Sequence, residues 1–386
     1  MMLLARRQSR RLMDWNIIRQ QFPITQNQTY LMNAAVSGMH ERTLKVANEM
    51  LMKIAMKGAI ADEDYFNLIV SSKDIAAQFV NAGPAEVVFT SNTSHNMNLL
   101  AMMLKDSGSK RKILVPDDEF PSSVIPWHHH GFEVIKIQSQ KHVYSAYQFE
   151  EHITDDVAAI VISGIQYGTG FKMPIKEIVY IANKYSVPVI LNATQQLGQS
   201  SVDLKELGVA AMSCSCHKWL GAGIGMALLY VNENFSKDKK WPFAGWVSVE
   251  EPWTLSIDKP QVRRDAGVLG TGSAPFINMA AIQEAMKVQM EIGKDRIEQR
   301  ICELSQKLYQ ELTTLNYKVF TPRESKTFYS GIISFAHPEK EAIEIASLLK
   351  EQKVFINHRK GRMRASIHFY NNEDDIQALI SGLRSL

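Results

Sequence analysis

Short runs of β-branched and other hydrophobic residues alternate with amphipathic segments from about residue 86 onward. The runs are EVVFT (86–90), KILV (112–115), AAIVIS (158–163), VPVIL (187–191) and MALLYV (226–231). Hydrophobic runs of this length that alternate with helical patterns are typical of βαβ units. The pattern therefore predicts an α/β fold around a largely parallel sheet.

Two of the segments between these runs carry helix signals. Hydrophobic residues at Ile175, Ile178, Val179 and Ala182 have the spacing of a helix that packs on a sheet. A second helix is predicted to begin at Asp203, because a glutamate follows three positions later, as in a capping box.

The pattern changes after GVLGTGSAPF (267–276). A long helix is predicted from one hydrophobic stripe, followed by a strand-like GIISFA, a helix, and strand-like VFIN and RASIHF; the stripe is Ile297, Ile301, Leu304, Leu308 and Leu312. Residues 232–265 are rich in Trp, Pro and charge without a period, which favours a long functional loop. We therefore predict an N-terminal arm or helix (1–25), a large domain (26–265) and a smaller α+β domain (266–386).

Composition narrows the class of partner. The chain has 386 residues, 45% of them hydrophobic, and its 43 basic and 40 acidic residues leave a formal net charge of +3. Because the charge is nearly balanced, the composition does not indicate binding to nucleic acid or to an anionic membrane, and a small molecule is the expected partner. Three cysteines, an odd number without metal-ligand spacing, favour a reducing compartment, and we expect a cytoplasmic protein.

The first residues, MMLLARRQSRRLMDW, lack the hydrophobic core and cleavage site of a secretory signal. Arginines at positions 6, 7, 10 and 11 leave an organelle transit peptide as an alternative. Met13 is a second possible start, and we favour a misassigned start or a short disordered arm. No hydrophobic run is long enough to cross a bilayer.

Lys218 is the main candidate for chemistry. It lies in SCSCHKW (213–219), between a hydrophobic strand and the glycine-rich LGAGIG. Burial there can lower the pKa of a lysine and make its amine a nucleophile toward an aldehyde. A surface lysine without a role is the alternative.

The run from residue 187 to residue 231, which contains Lys218, resembles the core of the class V aminotransferase and cysteine desulfurase superfamily. Further motifs match in the same order along the chain: YLMNAAVSG (30–38), SNTSHNMNLLA (91–101), DEFPSSVIPW (118–127), GIQYGTGFKMPIKEI (164–178), LGTGSAP (269–275) and RASIHFYNNEDDI (364–376). The resemblance implies fold type I, with a mainly parallel seven-stranded sheet and a smaller α+β C-terminal domain. It also implies pyridoxal 5′-phosphate (PLP) as cofactor, held by Lys218 as a Schiff base.

The resemblance assigns the cofactor's phosphate to Thr93 and Ser94, with help from Ser215 and His217. A helix that begins there offers free amides and a positive end to an anion. Ordinary helix capping is the alternative for Thr93 and Ser94.

Four further cofactor contacts are implied by the resemblance. Phe120 would stack on the pyridine ring, although a core phenylalanine is the alternative. Gln195 would bond the phenolic oxygen, and Asn192 lies where the superfamily usually has an aspartate against the pyridine nitrogen. Thr271 would reach the phosphate in a neighbouring subunit, which implies a homodimer with shared active sites.

The substrate contacts follow from the same resemblance. Arg364 would clamp the α-carboxylate of an amino acid, because a guanidinium pairs with both oxygens at once; a surface arginine is the alternative. Gln166 or Tyr167 would line the pocket, and Asn33 and Ala34 would admit the substrate.

Two departures qualify the resemblance. Asn192 cannot supply the charge of an aspartate, so we expect slower or different chemistry from that of a typical transaminase. Residues 356–364, INHRKGRMR, contain no persulfide-forming cysteine, and Cys302 lies far upstream, so the chain does not resemble a typical cysteine desulfurase.

The histidines at 128–130 are adjacent and would not share one ion, so we assign no metal site.

These patterns predict a PLP-dependent enzyme that acts at the α-carbon of a small amino acid, by aminotransferase-like or β-lyase-type chemistry. A catalytically degenerate PLP-binding or structural protein is the alternative, supported by Asn192. A cysteine desulfurase or an epimerase is the remaining alternative.

Overall fold

The computed structural model describes residues 14–385, so the predicted arginine-rich start and Met13 lie outside the described residues. Its strands are β1 (Thr29–Tyr30), β2 (Val87–Thr90), β3 (Lys112–Pro116), β4 (Glu133–Ile137), β5 (Val157–Ser163), β6 (Val189–Asn192), β7 (Ala211–Ser215), β8 (Ala227–Val231), β9 (Lys318–Val319), β10 (Ile332–Ala336), β11 (Val354–Phe355), β12 (Asn357–Arg359) and β13 (Arg362–Ser366).

The α-helices lie before, between and after these strands. They are Trp15–Gln20, Glu41–Lys57, Asp62–Val80, Thr93–Ser107, Ile125–His129, Ala146–Glu150, Ile175–Lys184, Leu204–Leu207, Glu233–Ser236, Phe276–Ile292, Lys294–Thr314, Ala342–Glu351 and Glu373–Arg384.

Seven strands form a sheet in the order β2-β8-β7-β6-β5-β3-β4. The pairs β7–β6, β6–β5, β5–β3 and β3–β4 are parallel, while β8 is antiparallel to both of its neighbours. Six strands therefore run in one direction, and their carboxyl ends meet at one edge. The predicted α/β fold type I, with a mainly parallel seven-stranded sheet, is confirmed.

Hydrophobic burial explains why these segments form strands and helices. Every residue of β5 is buried, because helices cover both faces of the sheet. Ile175, Ile178, Val179 and Ala182 all face this core, as their spacing predicts. At Asp203 the side chain accepts a hydrogen bond from the Glu206 N–H at 2.9 Å, which caps the short helix that follows.

A second, antiparallel sheet has the order β12-β13-β10-β9. Met363 and Ala365 of β13 pack into a hydrophobic core with the buried stripe of helix Lys294–Thr314. Because side chains alternate along a strand, Arg362 and Arg364 lie on the opposite face. That face is turned toward the seven-stranded sheet, since Arg364 contacts Tyr167.

The N-terminal segment joins the C-terminal part of the chain. Strand β1 pairs in parallel with β11, and the Arg19 guanidinium forms an ion pair with Asp375 at 2.7 Å. Helix Phe276–Ile292 packs on Glu41–Lys57 and Asp62–Val80, beside the large sheet. The domain boundaries at residues 25 and 265 stay a prediction.

Residues 232–265 are mostly irregular, apart from helix Glu233–Ser236 and a 3-10 turn at Pro252–Thr254. Trp246, Trp253 and Ile257 of this segment are exposed. Between residues 14 and 385, no helix combines the length and the hydrophobicity that a membrane span requires.

Candidate active site

The carboxyl ends of the parallel strands bring most of the predicted site residues together. This edge of an open α/β sheet is where ligands bind. The residues there follow five different strands: Thr93 after β2, Phe120 after β3, Gln166 after β5, Asn192 and Gln195 at the end of β6, and Ser215 and Lys218 at the end of β7.

Lys218 lies in the turn after β7 and is partly buried. Its Nζ is 5.4 Å from the centroid of the Phe120 ring. Burial, and then the nearby charge of Arg364, lower the pKa of Lys218 to about 8. The amine is therefore neutral, and nucleophilic, over a pH range where an exposed lysine is charged.

Arg364 is buried on β13, only 3% exposed. Its Nη1 donates a hydrogen bond to the Tyr167 carbonyl at 3.0 Å, whereas its buried Nε has no acceptor. Burial, and then the charge of Arg359, lower the pKa of Arg364 to about 10. Within residues 14–385 this guanidinium forms no ion pair, so an anionic ligand would complete its contacts.

A cluster of buried hydroxyl groups lies at the start of helix Thr93–Ser107. The Thr93 Oγ1 is 2.9 Å from the Ser215 Oγ and 3.0 Å from the Thr194 Oγ1, and the Ser213 Oγ donates to it at 3.2 Å. Asn92 caps the helix by accepting a hydrogen bond from the His95 N–H at 2.9 Å. Thr93 and Ser94 are thus the first two helical residues, and their amides lie at the positive end.

Asn192 is buried at the end of β6 and is held on two sides. Its Nδ2 donates to the Ser123 Oγ at 2.8 Å, and its Oδ1 accepts a hydrogen bond from the Thr194 N–H at 3.1 Å. A neutral amide therefore occupies the position where the superfamily usually has a carboxylate.

Gln195 bonds to the residue that follows Lys218, and His217 precedes Lys218 in the chain. The Gln195 side chain donates to the Ala34 carbonyl at 2.9 Å and accepts a hydrogen bond from the Trp219 Nε1 at 2.8 Å. These bonds fix the orientation of the Gln195 amide. Its Nε2 carries a second hydrogen, which the predicted bond to the phenolic oxygen of PLP would use. Burial, and then the charge of Lys218, lower the pKa of His217, which favours the neutral imidazole.

Sequence reasoning missed Glu119, a buried carboxylate next to Phe120. Its oxygens accept hydrogen bonds from the Ser163 N–H at 2.7 Å, from the Ser163 hydroxyl and from the Phe120 N–H at 2.8 Å. Gln166 Nε2 is 3.5 Å from the same group, and its own Oε1 has no partner. Burial raises the pKa of Glu119, but no local sequence signal indicated that this acid is buried. Its bonds fix the backbone that carries the Phe120 ring, which packs edge-on against Tyr167 at 5.1 Å.

Two further predicted residues have contacts within their own chain. Asn33 is fully buried, and its side chain donates to the Ser366 carbonyl at 2.8 Å and accepts a hydrogen bond from the Tyr370 hydroxyl at 2.5 Å. These bonds fasten the N-terminal segment to β13, so the side chain has a structural use and Ala34 alone faces Gln195. Thr271 is half-buried and packs on Gly245.

The donors and rings at this edge fit an aromatic aldehyde that carries a phosphate. Buried hydroxyls and helix amides suit the phosphate, and the flat Phe120 ring suits an aromatic face. The amine of Lys218, with its lowered pKa, suits the aldehyde. The residues present therefore fit PLP.

The fold is shared with solved structures. An apo cysteine desulfurase from Thermococcus onnurineus superposes with a TM-score of 0.88 at 21% identity, over 96% of this chain and 97% of that one. A complex of the cystine C-S lyase C-DES with cysteine persulfide superposes with a TM-score of 0.86 at 19% identity, over 94% and 99% of the two chains. At these identities the likeness concerns the fold.

Sequence comparisons agree with this fold. A probable cysteine desulfurase of Pyrococcus abyssi is 24% identical over 96% of each chain. The uncharacterized aminotransferase YcbU of Bacillus subtilis is also 24% identical, over 94% of this chain and 95% of that one. The sequence model of the family described as Aminotransferase class-V matches residues 29–379. The chain therefore belongs to the class-V aminotransferase family, whose members are PLP-dependent enzymes.

Proposed function

We propose that this protein uses PLP to act at the α-carbon of a small amino acid, by aminotransferase-like or β-lyase-type chemistry. When bound, PLP supplies an electron sink for charge that develops at that carbon. One observation carries the proposal: the buried guanidinium of Arg364, without a carboxylate partner in residues 14–385, lies on the strand face turned toward the sheet edge that carries Lys218.

Lys218 would hold the cofactor through its Nζ. Because the pKa of Lys218 is lowered to about 8, the same Nζ would serve as a base when it no longer holds the cofactor. It would then move the proton at the substrate α-carbon. The phosphate would be held by Thr93, Ser94, Ser215 and His217.

The ring would lie between Phe120 and the end of β6. Asn192 would face the pyridine nitrogen, and Gln195 the phenolic oxygen. Because Asn192 is neutral and already bonded to Ser123, it would stabilise a protonated pyridine less than a carboxylate does.

Arg364 would bind the substrate carboxylate and so set the orientation of the α-carbon bonds. Its Nη1 is fixed by the Tyr167 carbonyl, and its Nε has no acceptor among the described residues. Gln166 and Tyr167 would line the space beside the substrate. A defined orientation lets one bond align with the ring system and break selectively.

The test begins with the absorbance of the purified protein after incubation with PLP. Borohydride reduction followed by peptide mapping is expected to place the modification on Lys218, and Lys218→Ala is expected to abolish turnover. Lys237→Ala, an exposed lysine, serves as the control. A protein that takes up no PLP would rule out this function.

The common L-amino acids are then screened for keto-acid formation and for release of the β-substituent. Turnover of at least one, lost in Lys218→Ala, is expected. A protein that loads PLP on Lys218 but turns over no amino acid would instead be a catalytically degenerate binding protein.

A cysteine desulfurase is the second candidate, because several relatives carry that description. Against it, the β12–β13 hairpin has no cysteine, and Cys302 lies half-buried in helix Lys294–Thr314, where burial raises the pKa of its thiol. Release of sulfide from L-cysteine that survives Cys302→Ala would indicate a C–S lyase reaction at Lys218, without a persulfide on the protein.

A homodimer with shared sites is also proposed, since the segment 232–265, whose Gly245 packs on Thr271, exposes Trp246 and Trp253. Mixing inactive Lys218→Ala and Thr271→Ala chains is expected to restore part of the activity, because one mixed site would contain both native residues. A monomer by light scattering would contradict this.

A further inference from the structure

Asn357 lies directly opposite Arg364 in the hairpin formed by β12 and β13. Paired residues of antiparallel strands project to the same face, with neighbouring side chains. Met363 and Ala365 occupy the other face and pack into the hydrophobic core. Asn357 therefore shares the face of Arg364, which is the face turned toward Lys218.

Both side chains carry a buried donor without an acceptor. Within residues 14–385 the Nδ2 of Asn357, which is 8% exposed, has no partner, and neither has the Nε of Arg364, which is 3% exposed. Buried donors in folded proteins are nearly always hydrogen-bonded, so two neighbouring exceptions point to a ligand. The ligand must offer acceptors, and the charge of Arg364 favours an anion.

The other charged side chains of this hairpin are engaged elsewhere or exposed. Lys360 forms an ion pair with Asp118, and Arg362 lies over the Phe320 ring at 3.9 Å. Arg359 is exposed and donates to the neighbouring His358 carbonyl. Among the described residues, Asn357 and Ser334, which pair with Arg364 from β12 and β10, thus leave buried polar atoms open beside the Arg364 Nε, and Asn357 is the one that offers an amide donor.

We propose that Asn357 is a second donor for the substrate's carboxylate and so determines specificity for amino acids with a free α-carboxylate. This inference rests on the proposed function. Arg364 would bind the carboxylate through its Nε edge, while the Asn357 Nδ2 donates to a lone pair that the guanidinium leaves free. No covalent step is involved.

The experiment uses the full chain loaded with PLP. The change in cofactor absorbance gives the Kd of the tightest-binding common L-amino acid and that of its primary amide. Asn357→Ala is expected to weaken the acid by about two- to tenfold, as for one hydrogen bond. Asn357→Asp, which keeps the shape but places a carboxylate beside Arg364, is expected to weaken the acid by about tenfold or more. The amide should change much less, because it carries no charge for that carboxylate to repel.

A second measurement needs no substrate and no activity. In Asn357→Asp the new carboxylate supplies the partner that Arg364 lacks, so the ligand-free protein is expected to melt at a higher temperature than wild type. Asn67→Asp makes the same change on an exposed helical position and controls for added charge. It should leave both Kd values unchanged.

The outcomes separate this inference from the proposed function. If wild type binds amino acids and Arg364→Lys weakens them while Asn357→Asp does not, Asn357 has no such role and the proposed function stands. Equal weakening of acid and amide would also overturn the role of Asn357, since a general disturbance of the pocket explains it. If wild type loads PLP but binds no amino acid, the proposed function fails, and this inference fails with it.

Discussion

Two cations in one buried neighbourhood define the chemistry of this site at the scale of single residues. Lys218 and Arg364 are fixed by different sheets, and neither has a carboxylate partner in the described part of the chain. The positive charge of each side chain raises the free-energy cost of keeping the other charged. The lysine is the one that can release its proton, because its pKa is lowered to about 8. The amine is thereby prepared for nucleophilic attack while the guanidinium stays available for an anion.

The rate at which the PLP-free protein takes up PLP is expected to follow the neutral fraction of Lys218. It should rise with pH and level off above about 8, rather than above 10.5 as for an ordinary lysine. Arg364→Gln is expected to move the midpoint upward, because the charge of Arg364 lowers the pKa. Burial remains in that variant, so the midpoint stays below 10.5. Stopped-flow absorbance across the pH range measures this, and an unchanged midpoint would contradict the coupling.

Asn192 is the residue most able to change the strength of the chemistry. Asn192→Asp would place a carboxylate where the Thr194 N–H already donates and where the Ser123 hydroxyl, now an acceptor, can rotate to donate. The substitution is expected to raise the pKa of the cofactor's pyridine nitrogen. For each unit of that rise, exchange of the substrate α-proton is expected to become about tenfold faster. Proton NMR in D₂O measures this exchange. Unaltered exchange, together with an unaltered cofactor spectrum, would contradict the expectation that Asn192 slows or changes the chemistry.

At the scale of elements, the site depends on where helix Thr93–Ser107 begins. Strand β2 ends three residues earlier, and Asn92 caps the helix, so the first turn is fixed against the hydroxyls of β7. A helix of this length presents a positive end to an anion. Moving its first turn would therefore change the phosphate site.

We expect Asn92→Ala to lower the free energy of unfolding by about 1 kcal/mol, the usual contribution of a cap. The same change should also weaken PLP binding, because the first-turn amides lose their fixed position. Asn232→Ala removes the cap of the short helix Glu233–Ser236 and is the matched control, with a loss of stability but no loss of PLP affinity. Denaturant unfolding and fluorescence titration measure the two effects, and equal PLP affinities in both variants would count against the role of the first turn.

At the scale of the whole molecule, contacts between the two ends of the chain hold the antiparallel sheet over the parallel one. Arg19 bonds both oxygens of the buried Asp375, and Asn33 bonds the backbone of β13 near Arg364. Lys360 reaches Asp118 in the loop that carries Phe120. The position of Arg364 relative to Lys218 therefore depends on residues hundreds of positions apart.

Arg19→Met is expected to destabilise the protein by about 3 to 5 kcal/mol, because it leaves the Asp375 carboxylate buried without its cation. Arg384→Met breaks an exposed ion pair with Glu311 and is expected to cost less than about 1 kcal/mol. Urea unfolding compares the two variants. Equal losses would mean that the Arg19 ion pair does not hold the two ends together.

The sequence by itself determined the class of fold and the edge of the sheet that carries the site. Runs such as residues 158–163 are hydrophobic enough to specify buried strands without further contacts. The position of Lys218, between a hydrophobic strand and a glycine-rich turn, is likewise indicated by the local sequence. Strand β4 was missed because it lies at an edge and carries two exposed charged residues, Glu133 and Lys136, which interrupt its hydrophobic run.

Only the tertiary structure decided which polar residues are buried and what they contact. Glu119 lies in a polar segment, yet donors from β5 surround it. Asn33 matched a substrate-binding segment by resemblance, yet its bonds reach Ser366 and Tyr370. The pairing of Asn357 with Arg364 depends on hairpin register. Burial and hydrogen bonding are set by partners far away in the chain, and no local pattern encodes them.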